Sequence, residues 1–169
     1  MKNNFSVPLV SLIVVLLAPQ FIRAQNKVSP KELAHLNNSN LRSIQYLLLR
    51  WQTKTFIPES MTEEQWEQSI YVDEQSAEII YKIRPATDEP TGDRWLATHH
   101  IPIHEIDSVT NHYSDHTLVL YTPYEKIDSY LFDDPAAKNE KVSMPMQLDK
   151  VRNLAGQLWT HIQKFQRSQ

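Results

Sequence analysis

Apolar and polar positions along this 169-residue chain change rhythm three times. Residues 7–18 form an almost unbroken apolar run, VPLVSLIVVLLA. Helical spacing follows up to Trp51, short alternating segments run from Trp66 to Met144, and spacings of three and four return from Leu148 to Phe165. In the first helical part, Ser29-Pro30-Lys31-Glu32 has helix-start chemistry, with Ser29 as N-cap, Pro30 at the first helical position and Glu32 at the third. Asn37-Asn38-Ser39-Asn40 should end that helix early, because these side chains compete for backbone hydrogen bonds. Leu41, Ile44, Leu48 and Trp51 then fit a second helix capped by Asn40, and a buried strand fits the same short run nearly as well. Residues 60–65 connect onward, with one helical turn around Thr62 to Trp66.

The alternating part predicts strands at 69–72, 77–83, 95–103, 107–112, 117–121, 129–132 and 141–144. Turn formers separate them: Asp73-Glu74-Gln75-Ser76, the 84–93 loop with Pro85, Pro90 and Gly92, then Tyr113-Ser114-Asp115, Pro123, and Asp133-Asp134-Pro135. Short strands at this spacing describe an antiparallel sheet or a small barrel. Leu148, Val151, Leu154, Ala155, Leu158, Ile162 and Phe165 form the apolar stripe of a C-terminal amphipathic helix, which must lie on the sheet before it, with Trp159 at the stripe's edge as a packing anchor. The fold class is therefore α+β: about seven antiparallel strands and a terminal helix, preceded by a helical N-terminal segment. The divisions are residues 1–24, residues 25–65 for the helical segment, and residues 66–169 for the β-rich domain with its helix.

The apolar run changes the picture of location. Lys2 precedes it and Ile22-Arg23-Ala24-Gln25 closes it, the pattern of a secretory signal peptide cleaved after Ala24. The run is shorter than the roughly 20 residues that a membrane-crossing helix needs, and Pro8 and Pro19 bracket it. No stable transmembrane span is expected after cleavage. The short basic start reads as bacterial, which makes the periplasm or the cell surface the destination. Cleavage removes two basic residues and no acid, taking the formal charge from −3 to −5. A mildly acidic chain without a basic run argues against nucleic acid as a partner. Cysteine is absent, which excludes a thiol nucleophile, a disulfide framework, an Fe–S centre, a thiolate zinc site and a lipidated-cysteine anchor.

Seven strands followed by one amphipathic helix carrying Trp159 resemble the pleckstrin-homology-like fold over residues 66–166. The resemblance implies a helix plugging one end of a bent antiparallel barrel. In phosphoinositide-binding members a basic loop follows the first strand. The matching turn here, Asp73-Glu74-Gln75-Ser76, is acidic, so head-group binding does not carry over.

Candidate chemistry centres on histidine. In His99-His100-Ile101-Pro102-Ile103-His104-Glu105, His100 and His104 have the spacing of helical zinc ligands, about 6 Å apart on one face. Pro102 between them favours a strand, where the same rings stand roughly 13 Å apart and cannot share an ion. His112 and His116 flank Tyr113-Ser114-Asp115, and a tight hairpin would set them opposite each other. With His100 or His104 from a neighbouring strand and Asp115 nearby, a surface site for zinc, copper or nickel could assemble; the plainer alternative is a set of solvent-facing sheet residues. With only Gly92 and Gly156 in the chain, no G-x-S-x-G elbow, phosphate loop or dinucleotide fingerprint exists. No cofactor is implied, and no sequence arrangement supplies nucleophile, base and oxyanion donor together, so a non-enzymatic role is expected. Most tyrosines alternate with aliphatics as sheet residues. Trp95 and Tyr124, the latter beside Pro123, are rim candidates for contact with a protein, glycan or lipid of the envelope. The expected function is a binding, accessory or interaction module, with a metal-binding protein or an enzyme as alternatives.

Overall fold

A computed structural model describes residues 30–57, 64–86 and 95–169. The export signal, the Ser29 cap, and most of the 60–65 connection and the 84–93 loop lie outside these residues. Among the described residues the chain forms helix α1 (Pro30–Trp51), strands β1 (Thr55–Phe56), β2 (Trp66–Asp73), β3 (Glu78–Pro85), β4 (Ala97–Pro102), β5 (Ser108–His112), β6 (Thr117–Tyr121), β7 (Ile127–Leu131), β8 (Asp134–Asn139) and β9 (Lys141–Pro145), and helix α2 (Leu154–Gln166). The α+β class is as expected. Six strands order as β1-β2-β3-β4-β7-β8 and three as β5-β6-β9, every pairing antiparallel. The two sheets do not close into a barrel.

All seven expected strands are present, and two more join them. The two-residue β1 is too short to leave a pattern. β8 leaves none because it is an edge strand whose first five residues are exposed. Its Pro135 and Lys138 are the residue types that blunt a free edge. Asp133-Asp134-Pro135 is not the turn. The turn is Phe132-Asp133, both at positive φ, between the paired residues Leu131 and Asp134, a two-residue hairpin of the I′ kind.

Helix α1 runs without a break through Asn37-Asn38-Ser39-Asn40, so the expected two pieces are one helix. Each asparagine costs at most about 0.7 kcal/mol relative to alanine. A break would create two more helix ends, each with four unpaired backbone groups. The continuous helix also keeps Leu41, Ile44, Leu47 and Leu48 in one buried row. Gln45 Oε1 accepts the Val72 N–H, tying this row to β2.

Helix α2 starts at Leu154, beyond the first two residues of its stripe, Leu148 and Val151, because Leu148–Lys150 is a separate 3-10 turn. Asn153, at φ 56°, caps α2 by accepting from Gly156 N at 3.0 Å. A β-carbon on Gly156 would lie 2.4 Å from the Asn153 side chain, so glycine permits this close cap. Asn111 Oδ1 on β5 accepts from Ala155 N at 3.1 Å. At the far end Gln166 Nε2 donates to the carbonyls of Ile103, His104 and Ile106. One core, drawn from both helices and both sheets, includes Ile44, Ile70, Ile101, Leu118, Met144 and Leu158.

The sheets are stitched where α1 ends. Thr53 N donates to Pro145 O at 3.2 Å and Gln147 N to Trp51 O at 2.7 Å. Buried Gln68 donates through Nε2 to both Thr53 O and Pro145 O, at 2.5 and 2.6 Å. This seam forms one end of the cleft described next.

Candidate functional site: the cleft between the sheets

Strand pairing decides what each histidine can do. Ile70, Tyr81, His99 and Ser129 stand in register across β2, β3, β4 and β7, so they share one face. Tyr71, Ile80, His100 and Asp128 form the next row, on the opposite face. Adjacent side chains of a strand point to opposite sides, and His99 and His100 are separated by that rule alone.

On the inner face His99 stacks on Tyr81, ring centroids 5.6 Å apart. Asn139 Nδ2 donates to Ser129 Oγ at 2.6 Å, and Ser129 Oγ is hydrogen-bonded to His99 Nδ1 at 2.7 Å. Burial, aided by the nearby charge of His100, lowers the proton affinity of His99 below the ordinary histidine value. The ring is therefore neutral near pH 7, with one nitrogen a donor and the other an acceptor. Burial also pushes the Tyr81 hydroxyl well above its ordinary value, keeping it protonated.

This row backs a cleft of about 730 Å³ between the six-stranded and three-stranded sheets, within the range of ligand sites. Phe56, Ile57, Trp66 and Ile83 give one side its apolar wall, with Val142 and Pro145 on the other. His99 and Asn139 supply inner polar groups, and Asp115, His116 and Lys141 also line it. Trp66 is buried, and its Nε1 donor has no hydrogen-bond partner among the described residues. No family model matches the chain, and neither a curated protein nor a solved structure matches it.

The histidines singled out from sequence are dispersed. His100 faces outward, with Nδ1 3.1 Å from Glu78 Oε2 and its ring edge-on to Tyr130. His104 is not on a strand. Pro102 ends β4, and Ile103–Glu105 is a 3-10 turn fixed by Ile103 N donating to Ala77 O and by Gln166. There His104 Nε2 lies 3.6 Å from Glu105 Oε1, which Lys126 approaches equally closely. His112 pairs with Thr117, not with His116, because four residues make the hairpin turn. His116 sits in that turn at φ 53°. Among the described residues no group of three or more His, Asp and Glu side chains gathers as a metal site. Trp95 lies under the Arg84 guanidinium at 4.9 Å, and Tyr124 is 86% exposed at φ 57°. Of the four candidate ligands only His116 reaches the cleft.

Sequence reasoning passed over His99, Ser129, Asn139 and Trp66. Asn139 carries no signal, since its strand was invisible. His99 carries one: it falls in phase with Ile101, and in-phase residues share the core-facing side.

Proposed function

We propose that the protein is an exported, non-enzymatic binding module whose ligand, an elongated and mostly apolar molecule, seats in the cleft between the two sheets. The observation that carries this reading is the pairing of apolar walls with a few fixed polar groups in one concavity of ligand size. His99 is the chief orienting group. Its ring is clamped by Tyr81 and by the Asn139–Ser129 relay, so it offers a hydrogen bond with little ordering cost. Ser129 stands behind His99, buried and off the cleft wall. The serine–histidine pair accordingly holds the ring in place and does not present a nucleophile to a ligand. The pattern of residues 1–24 supports the export half of the proposal. The arrangement of strands before a terminal helix supports extending the pleckstrin-homology-like likeness to this chain, with the ligand between the sheets.

An anilinonaphthalene sulfonate dye tests the cleft. Saturable binding at one dye per chain is expected, abolished by Ile83→Trp, which fills the apolar wall, and kept by His100→Ala on the outer face. Dye binding that ignores Ile83→Trp would refute the reading.

A further inference from the structure

We infer that the cleft's ligand is a short extended peptide that adds antiparallel to the free edge of β9, its N-terminal, positively charged end beside Asp115 and its C-terminal, negatively charged end beside Lys141. The inference rests on the cleft reading above and identifies its ligand class. Among the described residues β9 pairs only with β6, so one of its edges is unpaired by strand. Thr122 N donates to Glu140 O and Met146 N to His116 O. Antiparallel ladders alternate with period two, so Val142 and Met144 also direct their N–H and C=O to β6. Lys141 and Ser143 must then direct theirs, and Pro145 its carbonyl, to the other edge. Pro145 bears this out, since its carbonyl accepts from Thr53 N and Gln68 Nε2 there.

Among the described residues the main-chain groups of Lys141 and Ser143 on that edge have no partner. The cleft runs beside them. Val142 and Ser143 project from opposite faces of β9 yet both line it, which only a position at the strand's edge allows. A ligand with alternating main-chain donors and acceptors continues the pairing that Thr53 begins. Its alternate side chains then meet the wall of Phe56, Trp66 and Ile83, the usual division of labour in strand addition.

Charge selects the direction. Lys141 marks one end of β9, and Asp115 lies by the other, where Thr117 pairs with Pro145. Thr53 already occupies the edge at Pro145, so a peptide pairs along Lys141 to Ser143, a span of about 7 Å, with its N-terminal end directed past Ser143 toward Asp115. Antiparallel to β9, a peptide's N-terminal ammonium arrives at Asp115 and its C-terminal carboxylate at Lys141. A parallel peptide would meet like charge at both ends.

The test uses the pentapeptide Thr-Val-Thr-Val-Thr with free termini. It should displace the dye and slow amide exchange at Lys141 and Ser143 in the unaltered protein. Ser143→Pro, which deletes one edge N–H, should weaken peptide binding about fivefold while the dye still binds; Ser143→Ala should leave both unchanged. Capping both termini should cost about threefold. If the peptide displaces the dye without slowing exchange at Ser143, or fails to displace it at about 1 mM, a millimolar limit of weak affinity, strand addition is overturned and the cleft reading stands. If the dye itself ignores Ile83→Trp, the cleft reading falls as well.

Discussion

His99 and His100 are neighbours in sequence and strangers in the fold. His99 lies against Tyr81 and Ser129 on the inner face of the six-stranded sheet. His100 lies against Glu78 and Tyr130 on the outer face. Their chemistry differs accordingly. The inner ring is half-buried against Tyr81 and held neutral by that burial. The outer ring, 36% exposed, faces a carboxylate across one hydrogen bond. A run of like residues on a strand is thus two half-populations, and a function argued from the run as a unit is argued from the wrong set.

The largest expected effect tests this split at the next pair of positions. Ile101 is fully buried, packed in the inner row with Ile79 opposite. Ile101→Ala should cost about 2–5 kcal/mol in denaturant unfolding, from lost burial and the cavity left behind. His100→Ala, one residue away, removes a partly exposed pair and should cost no more than about 1 kcal/mol. Equal losses would mean that the two faces are not distinguished by burial.

How much of this was legible beforehand follows the same division. Strands with one covered face announced themselves: Ile70 points inward on β2, Val142 and Met144 on β9, although β2 begins at Trp66, where a helical turn was expected. β8 did not, since an edge strand with both faces open needs no apolar alternation. The break expected at Asn37–Asn40 was a local preference, and packing along the whole of α1 overrode it. The cleft was least legible of all. Its walls come from β1, β2, β3, β4, β6, β8 and β9 and from the turn at Asp115-His116, and only the pairing order of two sheets brings those together. His99 was nevertheless within reach, because its phase with Ile101 marks it as inward.

A smaller effect sharpens the comparison through pH. The proton affinity of His99 is lowered on folding, from a reference value of 6.5, first by burial and then by His100. Below pH 6.5 the unfolded chain binds the proton and the folded chain resists it, so unfolding free energy rises with pH in that window. Stability is fully present above 6.5 and is lost as pH falls through the folded value. His161, lowered mainly by burial, adds the same sign. His99→Gln should therefore flatten, without abolishing, the decline in midpoint denaturant concentration between pH 6.5 and about 5, the histidine range. An unchanged slope would place the sensitivity elsewhere.

The smallest effect concerns a residue whose cost is set by backbone and not by either face. Phe132 and Asp133 form the β7–β8 turn with φ of 50° and 70°. A non-glycine residue in the left-handed region is disfavoured by about 1–2 kcal/mol, least for Asp and Asn. The second central position of this turn is where glycine is most favoured. Glycine gives back about 0.5–1 kcal/mol in chain entropy. The balance for Asp133→Gly is a gain of about 0.5 kcal/mol, a rise of about 1–2 °C in Tm for a domain of this size. Asp133→Val, β-branched and barred from this conformation, should lower Tm. If Asp133→Val is as stable as Asp133→Gly, residues 132–133 do not make the two-residue turn, and the register that places Asn139 behind Ser129 must be redrawn.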